Sequence, residues 1–419
     1  MARMTVHPSR DDPFAPGAAP PGLLLRRLLV DRRRQPAGHV LDCAPMAGPA
    51  GTRQDAVPST LRLLAAHLGA IDADEAPRAD SMLFVPIDAA LLHTEFVELL
   101  DARRDVLHLA RDVGPLAGAV ERVEQLRAAG YRFALDDLSA AGSAALWLPH
   151  AAYVVADVAR AQAFAPIASG NALRRHGAQL VATGVDTAAA FELAHRCGFD
   201  LFGGNWFARP QPSDTRELAA PLRAVLRALY LVQQDAPARQ IEQALRADTA
   251  LSFRLLRHLN AAGVAAGRSI DSVGAAVAML GTRQLVRWLG LVLVTSNDAG
   301  PAARALSRTA LARARLMELL PDEAAPGSDA QTRFLTGLFS LLDVMLRLPM
   351  ARVLDGLPLS GPVADALARR AGPLGLLLRL AEACERGDPH GPIGAPAALD
   401  TAALNAAHLR AIGWADGLD

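Results

Sequence analysis

The residues best suited to chemistry are two adjacent aspartates, Asp136 and Asp137, where the apolar run of YRFALDDLSAAGS gives out. A pair of carboxylates supplies hard oxygen donors of the kind that Mg²⁺ or Mn²⁺ takes. A strand end followed by small residues also needs acceptors for its backbone N–H groups, and aspartate serves there as well. The pair is either part of a metal site or a structural turn, and its surroundings must decide. Other acids stand near the ends of similar runs, Asp157 in YVVADV and Asp186 in ATGVDT. Cys43, Cys197 and Cys384 are far apart and form no CxxC or Cys/His spacing, so neither a zinc site nor a disulfide framework is expected. His258, His390 and His408 also lack ligand spacing, and His108, inside an apolar run, reads as a core histidine.

The elements that must position these acids are short apolar runs at a regular interval: LFVPI at 83, VLHLA at 106, RFALDD at 132, YVVADV at 153, QLVATGV at 179 and LFGGNWF at 201. Helical patterns lie between them. In GPLAGAVERVEQLRAAG, Leu116, Val120 and Val123 share a face and Gly130 suits the C-terminal cap. Strands alternating with helices predict a parallel sheet, either doubly wound or closed into a (β/α) barrel, with the chemistry at the strand C-termini.

The strand runs stop after Pro210, and QPSDTRELAAP reads as a linker. Beyond it the pattern is helical almost throughout. Leu251, Leu255 and Leu259 form one stripe, Val273, Val277 and Leu280 another, and Leu285, Trp288, Leu289 and Val292 a third. Asp248 suits a helix N-cap, and Gly281-Thr282 should separate two helices. The expected organisation is a disordered tail at 1–21, an α/β barrel at 22–210, a linker at 211–221 and an all-helical domain at 222–410.

Lys+Arg and Asp+Glu are equal at 43 each, so no global field draws in nucleic acid or an anionic membrane. The arginine run Arg26, Arg27, Arg32, Arg33 and Arg34 lacks interleaved aromatics and reads as a solvated edge. The N-terminus has no continuous apolar segment, and the apolar stretch from Trp288 to Val294 is too short to span a bilayer. Together with the sparse cysteines, this predicts a soluble cytoplasmic protein with neither nucleic acid nor membrane as partner.

Taken in order, ALDDLSAAGSAALWLP, VVAD, ATGVDT and FGGNWFARP resemble the EAL family of cyclic di-GMP phosphodiesterases over roughly residues 23 to 210. The family pattern is a strand ending in DDFGxGxSSL, a Lys-x-Asp strand, a strand ending in AEGVE and a closing QGxxF…P at a barrel mouth. The second half is similar to the HDOD domain, an all-helical relative of HD phosphohydrolases, through Asp248, Leu255-Leu256, Leu259-Asn260, Ile270, Ser272-Val273, Ala276 and Leu280-Gly281. The EAL-then-HDOD order resembles a signalling architecture of the YuxH type.

The first resemblance implies two divalent ions that activate water for in-line attack on a phosphodiester. Carried over position by position, it implies a site that has lost most of its ligands. Asp42 in LDCAPM stands for the signature glutamate and Met46 for a phosphate-binding arginine. Pro86 replaces a ligating asparagine and Arg111 a ligating glutamate. Asp136 and Asp137 persist, but Val155 takes the place of the catalytic lysine, with Asp157 retained. Thr183 and Asp186 replace two glutamates, and Gly203 the closing glutamine. In the helical half, Ser340-Leu341 stand where the family has His-Asp, and Asp343 is expected to be hydrogen-bonded to a neighbour.

Neutral or cationic side chains in place of ligands remove the charge that favours metal binding, so no catalytic residue, no metal and no cofactor is expected, with Mg²⁺ and Mn²⁺ included. The resemblance implies a non-catalytic bacterial signalling protein that contacts other signalling proteins. Two alternatives stay open. One is a receptor that still binds cyclic di-GMP through Arg209 and the Gly203-Gly204 backbone; the other is residual phosphodiesterase action by Asp42, Asp136, Asp137 and Asp157 around one ion.

Overall fold

The computed structural model describes residues 23–44, 81–109, 118–136, 147–158, 177–209, 220–261, 270, 272–296, 302–357, 359–386 and 399–418. The expected tail and most of the expected linker fall outside this set, as do Met46, Arg111 and Asp137.

Eight strands close into a barrel in chain order. They are β1 (Leu23–Asp31), β2 (Pro36–Ala44), β3 (Met82–Ile87), β4 (Asp105–Leu109), β5 (Arg132–Asp136), β6 (Tyr153–Asp157), β7 (Gln179–Thr183) and β8 (Leu201–Gly203). All six runs expected as strands are strands, and the closed barrel is realised rather than the open sheet. Strands β2 to β8 run parallel, whereas β1 is antiparallel to both of its neighbours, β2 and β8. The hairpin between β1 and β2 explains this, since a few turn residues can join only antiparallel strands. It also sets Leu23 opposite Ala44, so the start of β1 shares the rim formed by the ends of the other strands.

Leu29, Val40, Phe84, Val106, Ala134, Tyr153, Val155, Val181 and Leu201 form one buried cluster that draws on every strand. This is the layered interior of a small barrel, and each fully buried aliphatic or aromatic side chain in it contributes about 1.5–3 kcal/mol. Side chains alternate along a strand, so residues two positions further on share the inward face. That rule carries Asp42, Pro86, His108 and Asp136 to the rim side of this layer. A second cluster outside the sheet joins Leu83, Val85, Leu107 and Phe133 to Val123 and Leu126 of helix α2 (Ala119–Ala128), which follows α1 (Ala89–Leu92). Helix α3 (Ala188–Arg196) starts on Thr187, whose side chain accepts the Ala190 N–H at 3.1 Å.

The helical region comprises α4 (Ala220–Gln233), α5 (Ala238–Arg246), α6 (Thr249–Ala261), α7 (Val273–Thr295), α8 (Ala303–Leu319), α9 (Ala330–Phe339), α10 (Leu342–Leu346), α11 (Met350–Asp355), α12 (Gly361–Arg369) and α13 (Gly372–Arg386). The expected N-cap is present, with Asp248 Oδ1 accepting the Leu251 N–H at 3.0 Å. Gly281 interrupts α7 at φ 66°, ψ 170°, a conformation that suits glycine and divides the helix as the sequence predicts. Helix α7, whose end holds the Trp288–Val294 run, could by length and composition alone cross a membrane. Its buried Val277, Leu285, Leu289 and Leu293 and the break at Gly281 equally suit a core helix.

Two compact units divide the chain. One contains 1–32, 36–206 and 383–419, the other 33–35 and 207–382. The second unit stops at 382, whereas the helical domain is expected to run to 410. The last helix, α14 (Thr401–Asp416), belongs with the barrel because it packs on β1.

Candidate functional site at the barrel mouth

Asp42 lies two residues beyond the interior Val40, and its carboxylate is already engaged: Arg27 Nη2 donates to Asp42 Oδ2 at 2.8 Å. On the neighbouring strand Pro86 pairs in register with His108 and offers no side-chain oxygen. His108 Nε2 is 2.9 Å from Asp136 Oδ1, and its ring meets Phe84 edge-on at 6.5 Å between centroids. The histidine is thus a satisfied inner-strand residue, as its setting in the sequence suggests. Asp136 is the last residue of β5 and is about one-third exposed, while His108 is 12% exposed.

Val155, opposite Asp136 in the β5–β6 register, is buried within the barrel interior. Asp157 pairs with Thr183 across β6 and β7, and an ideal Cβ on Gly184 would lie 3.0 Å from Asp157 Oδ1. The rim backbone therefore passes close to that carboxylate. Thr183 is buried, and its hydroxyl points to the Ala156 carbonyl at 3.5 Å. Asp186 Oδ1 accepts the Asn205 N–H at 3.0 Å, a loop-fixing bond. Val185 donates its N–H to Gly203 O at 3.1 Å, and its own carbonyl takes the Trp206 N–H at 3.2 Å. A Cβ on Gly204 would fall 2.2 Å from Val185 O, so only glycine fits there. Arg209 is exposed and counts with the other unit.

Among the described residues, no group of three or more His, Cys, Asp or Glu side chains is placed to hold a metal ion. Asp42 faces the Arg27 guanidinium and Asp136 the His108 imidazole, both of the chain itself.

Sequence reasoning missed Arg27 and misjudged its run. Arg26 is 3% exposed and Arg27 points at Asp42, while Arg32 donates to the Phe199 carbonyl at 2.6 Å. The solvated-edge reading holds for Arg32 and Arg33, which are exposed, and fails for Arg26 and Arg27 because β1 was not expected as a strand. Once LLLRRLLVD is extended, alternation sends Arg26 and Arg27 to opposite faces.

In the helical unit, Ser340 caps α9 and is buried. Arg313 Nη1 donates to Ser340 Oγ at 2.8 Å, and Ser340 Oγ donates to Gly337 O at 2.6 Å. Arg313 also reaches Glu382 Oε1 at 3.4 Å, where Arg370 Nη2 stands at 2.9 Å. Asp343 accepts a backbone hydrogen bond at Val344, while its Oδ1 is buried without a hydrogen-bond partner among the described residues. Burial pushes its pKa up, against the backbone hydrogen bond at Val344 and the charges of Arg370 and Arg313.

A family model described as HDOD domain matches residues 220–348, so the expected module is present in the helical region. The chain is 27% identical over 342 residues to the cyclic di-GMP phosphodiesterase CdgJ of Vibrio cholerae serotype O1, covering 80% of this chain and 78% of that protein. It is 23% identical over 292 residues to YuxH of Bacillus subtilis, covering 68% of this chain and 71% of the relative. Among solved structures, the EAL enzyme Bd1971 in its cAMP- and cyclic-di-GMP-bound form is similar at 16% identity and a TM-score of 0.36. That similarity covers 44% of this chain and 61% of Bd1971, so the chain spans less than two thirds of that structure.

Proposed function

We propose that this chain is a non-catalytic signal-transduction protein of the cyclic di-GMP class, a degenerate EAL barrel joined to an HDOD module, acting through contacts with other signalling proteins. The observation that carries the reading is at the barrel mouth. Two retained acids, Asp42 and Asp136, face Arg27 and His108 of the same chain. A divalent ion there has to displace a guanidinium and an imidazole before it gains either carboxylate. Pro86, Val155, Thr183 and Gly203 supply little to compensate, since Mg²⁺ and Mn²⁺ want several anionic or carbonyl oxygens in a fixed geometry. The described donor set does not fit a two-ion centre, and no reaction step is assigned to one. Arg111 and Asp137, outside the described residues, are taken in this reading as a non-ligand and a turn residue. The cytoplasm is the proposed location.

In the HDOD region the same logic recurs. Ser340 occupies the vestigial HD position and is bonded to Arg313, with Glu382 shared between Arg313 and Arg370. The Glu382 carboxylate is answered by two guanidiniums, which supports contact with partner proteins rather than metal chemistry as the module's role. Affinity purification of the full chain should return signalling proteins such as a diguanylate cyclase, a sensor kinase or a response regulator. Failure to enrich any signalling protein, together with measurable hydrolysis of cyclic di-GMP, would defeat the proposal.

A second reading is favoured by the name of CdgJ, a phosphodiesterase related over most of this chain. The barrel would then keep weak hydrolysis around one ion, or bind cyclic di-GMP without turning it over. Calorimetric titration of the nucleotide with product analysis of the same sample separates these outcomes.

A further inference from the structure

In a barrel built of alternating strands and helices, the connections cover the outer face of the sheet. The β1–β2 hairpin leaves no chain for this, because four residues, 32–35, separate the strands. Its outward face should be wet. Instead Leu24, Arg26, His39 and Leu41 are each at most 3% exposed.

The cover is α14, at the far end of the sequence. Leu409 and Ile412 join the same apolar cluster as Leu24 and Leu41. The Leu24 N–H donates to Asn405 Oδ1 at 2.8 Å across 381 residues of sequence. β8 pairs with Leu29–Asp31 only, so this end of β1 takes an acceptor from the helix instead of from a strand. His39 Nε2 stands 3.1 Å from Asp416 Oδ2, with both side chains 2% exposed.

We infer that α14 is the covering helix of the β1–β2 hairpin, and that the helical unit is inserted between the last strand of the barrel and this closing helix. The barrel is then a conditional structure. Its first two strands stay packed only while a segment encoded after the entire HDOD region is latched onto them. Unlatching would expose Leu24 and Leu41 and break the buried His39–Asp416 pair, and breaking a buried pair is strongly destabilising.

The test is hydrogen exchange read by mass spectrometry on the full chain, comparing wild type with Asn405→Ala and Asp416→Asn. Asp416→Asn preserves shape, so it remains informative if Asn405→Ala does not fold. Each variant should speed exchange in β1 and β2 by about tenfold or more, the loss expected for a buried hydrogen bond or half of a buried ion pair. Protection in α8 and α9 should stay at the wild-type level. Wild-type protection in β1 and β2 with loss confined to α14 overturns the inference, as does an equal loss in α8 and α9.

Discussion

His108 Nε2 and Asp136 Oδ1 stand 2.9 Å apart on adjacent barrel strands, a histidine holding the acid that ends the β5 run. An acid at a strand C-terminus in a barrel is where catalysis is usually sought. Here its first neighbour is a base of the chain, and Arg27 treats Asp42 the same way. The mouth supplies both acids with partners from the chain itself.

Removing those two partners should uncover whatever cation affinity the acids retain. The double variant Arg27→Ala/His108→Ala removes the guanidinium from Asp42 and the imidazole from Asp136, and should bind Mn²⁺ more tightly than wild type in a calorimetric or spin-resonance titration. Its stability should fall modestly. The exposed Arg27–Asp42 pair is worth about 0–1 kcal/mol, and the loss of a bond to a charged group at His108 costs about 1.5–3 kcal/mol. Equal Mn²⁺ affinity in both proteins would show that Arg27 and His108 do not guard the acids.

The rim backbone is tighter than its sequence suggests. Gly204→Ala drives a methyl group to 2.2 Å from Val185 O, against a carbonyl that also accepts the Trp206 N–H. Denaturant unfolding should report a loss of about 3 kcal/mol or a failure to fold. A loss under 0.5 kcal/mol would mean the loop relaxes freely.

Two buried groups should give the stability curve opposite slopes in acid. Burial, helped by the nearby Arg26 and His39 charges, drives the His408 pKa down from 6.5 to about 3, against a hydrogen bond with the Leu24 backbone. Its folded value is depressed, so its contribution is complete above the unfolded value near 6.5 and is lost as pH falls toward 3. Asp343 runs the other way. Burial raises its pKa, so the stability it gives is complete below the ordinary carboxyl value and is lost as pH climbs through the raised one. His408→Gln should flatten the loss on acidification, and Asp343→Asn should raise the melting temperature at pH 7. Unchanged pH profiles in both variants would contradict these assignments.

Much of the architecture could be read from the chain because the local signals agree with the fold. VLHLA, YVVADV and QLVATGV are short apolar runs with helical patterns between them, and they became β4, β6 and β7. Asp248 and Gly281 mark a helix start and a break by chemistry that needs no tertiary context. β1 is hard to read as a strand because LLLRRLLVD carries two adjacent arginines, and only in the barrel does Arg26 become buried while Arg27 meets Asp42. The association of α14 with β1 was invisible for a different reason, since Asn405 and Leu24 are 381 residues apart. At the site, the substitutions at Pro86, Val155, Thr183 and Gly203 are legible as letters. The pairing of Asp42 with Arg27 and of Asp136 with His108 required the register.

The most direct measurement of the central claim is turnover of cyclic di-GMP by the purified full chain with Mg²⁺ and then Mn²⁺, alongside Asp136→Asn. The account predicts no linear dinucleotide above the buffer control, with wild type and variant indistinguishable. Hydrolysis by the wild type that Asp136→Asn abolishes would contradict it.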